Sequence, residues 1–316
     1  MTQAPRVSVA IALFNEEEVL PELLQRLASV LDALPGGPHE MVLVDDGSSD
    51  RTFELLSAAA ARDPRIVGLS LSRNFGHQAA LSAALDRVSG DVVVIMDGDL
   101  QDPPEVIPRF LEEYRKGFDV VYARRTGRKE NLVLRACYYA FYRMIAALSN
   151  IRLPLDAGDF GLLSKRVVAN LAAIPEHHRY LRGLRTWVGF RQTGVAVERS
   201  ERAAGRSRYT VGKLLRLAFD GIFAFSAAPL RAAAVLGLFT VVGALLFAAY
   251  AVYVKLVEGR SPQGFTALIL VLTFFSGVQL LFLGVIGEYL ARVYEETKGR
   301  PQYIVSKTVG KAGSAP

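Results

Sequence analysis

Residues 91–105 read DVVVIMDGDLQDPPE, an apolar strand that runs straight into two carboxylates separated by one glycine. Val92 to Met96 is too continuous for a half-exposed strand and suits one covered by helices on both faces of a parallel sheet. Asp97 and Asp99 then stand at the carboxyl end of that strand, where open α/β sheets present ligands. Two hard oxygen ligands so close together suit Mg²⁺ or Mn²⁺, which take their remaining ligands from substrate phosphates and water. The same tripeptide also serves as ordinary turn chemistry, so the surrounding chain must decide between the two.

Working outward, the first 130 residues alternate apolar strands with helical stretches, the signature of a parallel sheet. Val7 to Leu13 is a strand that ends in Phe14-Asn15-Glu16-Glu17-Glu18 and leads into a helix through Leu31, with acidic residues in its first turn. Met41 to Val44 ends in Asp45-Asp46-Gly47-Ser48-Ser49-Asp50, where Ser49 or Asp50 can cap the next helix. Ile66 to Leu71 is followed by Ser72-Arg73-Asn74-Phe75-Gly76-His77 and a helix through Leu85; after the strand ending at Asp97, Pro103-Pro104-Glu105 opens a helix over Val106 to Lys116, and Asp119 to Ala123 is a fifth strand. Four successive strands thus end in polar clusters expected to face one crevice. The first turn lacks Gly-x-Gly-x-x-Gly, which argues against a dehydrogenase, and there is no Gly-x-x-x-x-Gly-Lys-Ser/Thr loop, so phosphates would be held by metal and arginine.

The 316 residues carry a net charge of +6 and are 51% hydrophobic, with a mean hydropathy of +0.24 and a pI near 9.4. The basic residues mostly flank apolar segments, which favours an anionic lipid surface over nucleic acid. A single cysteine, Cys137, excludes an internal disulfide and metal-cysteine clusters. The start, MTQAPR, lacks the pattern of a signal peptide, so the first domain is expected to stay in the cytoplasm. Ala232 to Val254 and Ser261 to Gly287 contain no charged residue, and each exceeds the roughly 20 residues needed to cross a bilayer. The short connection makes them an antiparallel hairpin, with transmembrane helices expected over about 232–254 and 264–287. Arg206, Arg208, Lys213, Arg216 and Arg231 precede the first span, and Arg292, Lys298 and Arg300 follow the second, which predicts both termini on the cytoplasmic side.

Tyr209 to Ser226 places Lys213, Arg216 and Asp220 on one stripe of an otherwise apolar helix, the pattern of a helix lying in the membrane interface. Asn131 to Asn150 reads as a second such helix. The expected division is a catalytic domain over 1–208, an interfacial helix over 209–230, two spans within 231–290 and a cytoplasmic tail over 291–316. Gly237, Gly243, Gly277, Gly284 and Gly287 offer close-approach surfaces in the spans, so a homo-oligomer is expected.

In that order and spacing, LFNEEE, VDDGSSD, SRNFGHQAAL and DGDLQDPPE resemble an inverting glycosyltransferase of family 2 with the GT-A fold. The further stretches ARRTGR (123–128), DAGDFGLLSKRV (156–167), YLRGLRTWVGF (180–190) and ERAAGRSRYT (201–210), then two spans and ETKGRPQYIV, resemble the polyprenyl-phosphate glycosyltransferases. These are relatives of dolichyl-phosphate mannose synthase, and the likeness is chiefly to the bacterial branch acting on undecaprenyl phosphate. It extends to about Val305. Its motifs are specific only as an ordered set. It implies an α/β GT-A domain followed by interfacial helices and a two-helix transmembrane hairpin. It also implies transfer of one sugar from a nucleotide-sugar donor to a lipid phosphate at the inner membrane of a bacterium.

By that resemblance Asp97 and Asp99 hold Mg²⁺ or Mn²⁺, with Gln101 a third ligand, while Phe14, Glu16, Asp46, Asp97, Gly98 and Asp99 line the donor site. Asp46 also suits a turn-capping role. Asp159 stands beside the reacting centre as a base or as an orienting group, the second being favoured. An acceptor phosphate monoester has a second pKa of about 6 and is already a nucleophile. Arg124, Arg128, Arg202 and Arg206 are candidates for the lipid phosphate or diphosphate, Arg202 foremost, through planar multidentate contacts. Trp187 could line the sugar pocket or pack in the core. The chain has Arg182-Gly183-Leu184-Arg185-Thr186-Trp187 where processive members of the superfamily have Gln-x-x-Arg-Trp, and only two spans, which points to one sugar per turnover. UDP-glucose is the expected donor, with UDP-N-acetylglucosamine, UDP-modified arabinose and GDP-mannose as alternatives. An inactive membrane-anchored scaffold and a lipid-sugar translocase are the alternatives of another class.

Overall fold

A computed structural model describes residues 4–126, 157–177, 179–198, 228–258 and 264–310. It divides into two compact units: of the described residues, those up to 198 and from 301 on belong to the first, and 228–300 to the second. The interfacial helices expected at 131–150 and 209–226 lie outside the described residues, as do Asp156, Arg128, Arg202 and Arg206.

The first unit is built on eight strands: β1 (Val7–Leu13), β2 (Glu40–Asp45), β3 (Ile66–Leu71), β4 (Val92–Asp97), β5 (Val120–Thr126), β6 (Ala157–Ser164), β7 (Gln192–Glu198) and β8 (Val305–Val309). Their order across the sheet is β7-β5-β6-β4-β1-β2-β3-β8. β1 pairs in parallel with β2 and β4, β2 with β3, and β5 with β7. β6 runs antiparallel between β4 and β5, and β8 antiparallel along β3. Every residue of β1 and β2 is buried, as suits mostly apolar strands covered on both faces, and the buried Ser8 and Glu40 are paired with each other.

Among the described residues six α-helices accompany the sheet: α1 (Leu20–Ala33), α2 (Thr52–Arg62), α3 (His77–Leu85), α4 (Ile107–Arg115), α5 (Lys165–Ala172) and α6 (Leu181–Trp187). α1 buries Leu20, Leu23, Leu27 and Leu31, one stripe at helical spacing. It starts later than the acidic run suggested. Glu16 to Glu18 form the preceding turn, in which the Glu16 carbonyl accepts the amides of Val19 and Leu20. α2 opens on Thr52 with Arg51, not Ser49 or Asp50, at the cap position and no side chain capping it; the Thr52 amide donates instead to Asp50 Oδ1 at 3.0 Å.

One departure from the sequence reading concerns the C-terminus, expected as a polar tail. Val305–Val309 is instead an edge strand of the catalytic sheet. Ser306 and Thr308 face out, while Val305, Lys307 and Val309 share the other face: Val309 packs onto Gly68, where an added Cβ would come within 2.7 Å of it, and Lys307 Nζ lies 5.8 Å from the Phe53 ring centroid. Such a two-sided pattern suits an edge strand, which needs apolar cover on only one face.

The second unit holds α7 (Ala228–Glu258) and α8 (Phe265–Thr297), both long and apolar enough to cross a membrane. Phe239 is 69% exposed and Leu246 68%, so these helices are not the core of a soluble domain. They run several residues beyond the expected spans at both outer ends, into turns that carry charge.

Phe110 of α4 and Phe160 of β6 are fully buried, with ring centroids 4.9 Å apart. Phe110→Ala is expected to destabilise the first unit by about 3–5 kcal/mol, the usual loss for a buried aromatic truncated to alanine. A lowered urea midpoint, followed by circular dichroism on the detergent-solubilised chain, measures it.

Candidate active site

The sheet changes direction of winding between β1 and β4: β2 and β3 extend one way from β1, and β4 lies on the other side. Crevices at such switch points, outside the carboxyl ends of the strands, are where α/β sheets bind ligands. Phe14 to Glu16 leave β1 there, Asp45 and Asp46 leave β2, and Asp97 to Asp99 leave β4. β6 brings a fourth element to the same edge. Its antiparallel register with β4 runs from Val92↔Ser164 to Ile95↔Gly161, so Asp159 lies at the strand end beside that of Asp97.

The Asp97-Gly98-Asp99 turn presses on the end of β1. A Cβ at Gly98 would come within 2.6 Å of Leu13 Cδ2 and 3.3 Å of the Ala12 carbonyl, so glycine permits the approach. Leu100 then sits at φ 55°, an uncommon conformation for a bulky residue, and is held there by burial. Asp99 Oδ1 accepts the Gln101 amide at 3.2 Å, and Asp97 Oδ1 lies 3.3 Å from His77 Nε2. Among the described residues no three His, Cys, Asp or Glu side chains gather as a complete metal shell. Two carboxylates on one tight turn fit Mg²⁺ or Mn²⁺ of the kind that completes its shell with substrate oxygens and water. Gln101 is drawn to this turn by its backbone.

Asp46 is 2% exposed, and its two oxygens accept the amides of Phe75 at 2.8 Å and Gly76 at 3.0 Å. Burial raises its pKa above the ordinary carboxylate value, against the two amide hydrogen bonds. Asp45, equally buried, accepts the Ser48 amide and the Ser70 hydroxyl. Gly47, at φ 69°, lets this turn lie against the backbone of Arg73 and Asn74. On the β1 side, Asn15 adopts φ 55°, donates its amide to Ser48 Oγ and accepts the Ser49 amide on its side-chain oxygen. Phe14 is left 43% exposed at the mouth, and the Glu16 amide donates to Thr52 Oγ1.

Asp159 is gripped by Arg182, whose Nε and Nη2 donate to its two oxygens at 3.2 and 3.1 Å. Burial alone would raise the Asp159 pKa. The Arg182 charge and hydrogen bonds, with smaller contributions from His77 and Arg185, more than offset it and hold the carboxyl below its ordinary value. Arg185, one helical turn on, is 3% exposed; its Nη2 donates to the Gly158 carbonyl at 3.3 Å and its guanidinium lies 5.5 Å from the Tyr122 ring centroid. Burial lowers its pKa to about 10, so it remains a cation at neutral pH. Asp159, Arg182 and Arg185 line a small cavity closed by Leu81, Ile95 and Leu181.

Of the residues singled out from sequence, Phe14, Glu16, Asp46, Asp97, Gly98, Asp99, Gln101 and Asp159 all come from this edge of the sheet. Arg124 is exposed on β5. Trp187 is 63% exposed at the end of α6, which removes the packed-core reading. Sequence reasoning missed Arg182 and Arg185 as partners of Asp159, and His77 as the neighbour of Asp97. The spacing i, i+3 of two arginines among Leu181, Gly183 and Leu184 was the available signal, since cations on an apolar helix face need a partner.

The glycosyl transferase family 2 model matches residues 8–171 of the chain. An uncharacterised glycosyltransferase of Bacillus subtilis is 40% identical over 311 residues, covering 98% of this chain and 96% of its own length. The prophage-derived bactoprenol glucosyl transferase of Shigella flexneri is 38% identical over 304 residues, covering 96% of this chain and 98% of its own. Among solved structures, glucosyl-3-phosphoglycerate synthase of Mycobacterium tuberculosis, crystallised with Mn²⁺ and UDP, is 21% identical with a TM-score of 0.49, over 69% of this chain and 78% of that one. With a doubly flanked, mostly parallel GT-A sheet and a family match over more than half its length, the chain belongs to glycosyltransferase family 2.

Proposed function

We propose that the protein transfers one glucose from UDP-glucose to a polyprenyl phosphate, undecaprenyl phosphate, with inversion at the anomeric carbon. The observation that carries the reading is the pairing of two carboxylate sites at one switch point: Asp97 and Asp99 after β4, and Asp159 held ionised by arginine beside them. Relatives matched over nearly the whole chain and named bactoprenol glucosyl transferases support the choice of sugar and lipid. The two long apolar helices suit an acceptor that resides in a bilayer. The excess of basic residues at their outer ends supports a cytoplasmic catalytic domain and cytoplasmic termini at the bacterial inner membrane.

In this reading Phe14 and the loop pinned by Asp46 shape the nucleoside wall. Asp97 and Asp99 hold a Mg²⁺ or Mn²⁺ that, when bound, supplies positive charge to the departing diphosphate. The acceptor phosphate oxygen attacks the anomeric carbon from the opposite face as the bond to the diphosphate breaks. Asp159 orients the acceptor through the Arg182 guanidinium rather than taking a proton. Its lowered pKa makes it a weak base, and a phosphate dianion has no proton to lose. Arg124, Arg128, Arg202 and Arg206 receive the phosphate and diphosphate charges.

Donor profiling decides the sugar. Purified protein with undecaprenyl phosphate, Mg²⁺ and separate UDP-glucose, UDP-N-acetylglucosamine, UDP-arabinose and GDP-mannose is expected to yield lipid-linked glucose from the first. No lipid product from any donor would overturn the reading. Asp99→Ala should lower kcat by about two to three orders of magnitude, a loss typical for a group that stabilises transition-state charge; an inactive scaffold or a translocase would keep its function.

The pH profile separates the roles of Asp159. A carboxyl whose pKa is lowered on folding adds stability above its unfolded value, and that contribution is lost only as pH falls through the lower folded value. Asp159 is therefore ionised throughout the working range. The acidic limb of kcat/KM is expected near pH 6, about where the lipid phosphate takes up its proton. Asp159→Asn should lower the plateau and leave that limb in place. Arg182→Ala should move the Asp159 pKa upward, because burial is then opposed only by the smaller contributions of His77 and Arg185, and add a second acidic limb. A limb that disappears in Asp159→Asn would show instead that Asp159 is the base.

A further inference from the structure

The segment that follows α8 returns to the first unit and takes hold of one element of the site at both ends. The Tyr303 hydroxyl donates to Asp86 Oδ2 at 2.6 Å, and Asp86 closes α3, its own amide bonded to the Ser82 carbonyl. The next residue, Ile304, accepts the Ser72 amide on its carbonyl at 2.9 Å. Ser72 opens the loop that leads into α3. Two adjacent residues thus grip the first and last positions of the stretch 72–86.

That stretch touches each part of the site. The Phe75 and Gly76 amides donate to Asp46, His77 lies against Asp97, and Gln78 Oε1 accepts the Leu181 amide at the start of the helix that carries Arg182 and Arg185. The grip is itself held in register. β8 pairs with β3 from Gly68↔Val309 to Ser70↔Lys307, then shifts before Leu71↔Val305. Gln302 Nε2 donates to the Glu176 carbonyl, and Gly310 passes so close to the Ile66 carbonyl that a side chain there would overlap it. Burial and the Asp86 carboxylate both raise the Tyr303 pKa, so its phenol remains a donor at neutral pH.

We propose that Tyr303, with β8 behind it, is a positioning residue for the donor side of the reaction, fixing stretch 72–86 so that the loop on Asp46 and the neighbour of Asp97 keep their places. This rests on the reading that the crevice takes a nucleotide donor, and the test keeps the two apart. The full chain is compared in detergent with Tyr303→Phe, Asp86→Asn and Asp86→Ala, by amide hydrogen exchange and by titration with UDP and Mn²⁺.

Tyr303→Phe keeps the ring and removes only the donor. It is expected to speed exchange of the Phe75 and Gly76 amides and to weaken UDP binding by roughly tenfold, the scale of one charge-assisted hydrogen bond. The lipid-acceptor KM and the melting temperature should stay near wild type. Asp86→Asn retains an oxygen acceptor without the charge and should weaken UDP binding less than Tyr303→Phe does. Asp86→Ala should match Tyr303→Phe, and the double variant with Tyr303→Phe should lose no more. Unchanged exchange at Phe75 and Gly76 in Tyr303→Phe would overturn the proposal, as would a parallel rise in donor and acceptor KM with a fall in melting temperature. Failure of the wild-type chain to bind UDP would count against the nucleotide reading alone, since the exchange result still decides the role of Tyr303.

Discussion

The buried carboxylate of Asp46 is the constraint from which the site follows. Taking a carboxylate out of water is costly unless its oxygens are hydrogen-bonded, and both oxygens of Asp46 are met by backbone amides of the loop after β3. That bond fixes where Gly76 lies, and with it the first residue of α3. α3 then buries Ala80 to Leu85, which leaves the helix little freedom to shift. His77 and Gln78, at its start, reach Asp97 on one side and the head of α6 on the other. A single interaction at the end of β2 thereby sets the spacing between two carboxylate sites that have no common strand.

The charges of the crevice are arranged in two groups with different tasks. At the end of β4 two carboxylates, Asp97 beside His77 and Asp99 beside the Gln101 amide, gather negative charge on one turn, a place suited to a divalent cation and the phosphates it binds. Near Asp159 the balance is reversed. Two arginines surround one carboxylate, so that part of the cavity is cationic overall although its walls are apolar. Low polarity strengthens such charges. On the proposed reading, the acceptor phosphate would meet guanidinium groups on this side, and a metal held by Asp97 and Asp99 would supply positive charge to the departing diphosphate. Separate neutralisation of nucleophile and leaving group is what an in-line displacement between two anions requires.

Much of this was legible because it rests on local pattern. The runs before Leu13, Asp45 and Asp97 are unbroken and apolar, so their burial and their polar ends could be read together. β6 and β7 were harder. Gly161 and Gly194 interrupt their patterns, and each is needed because a neighbouring strand or ring passes too close for a side chain, as Tyr122 does at Gly194. Arg182 and Arg185 escaped notice as site residues because their partner lies 23 positions before Arg182, across a turn and a helix. Long-range pairing leaves no periodic trace. β8 went unrecognised for a similar reason: five residues with mostly polar side chains look like a tail until the edge they complete is known.

The place of that edge strand in the sequence has a consequence for biosynthesis. β1 to β7 are translated before the two long apolar helices, and β8 only after them. Until the ribosome has passed residue 309, β3 remains an open edge with unsatisfied backbone groups, the kind of surface on which chains stick to one another. A chain that stalls or is cut before β8 leaves the apolar β3 as a border of the sheet in place of the more polar, better protected β8.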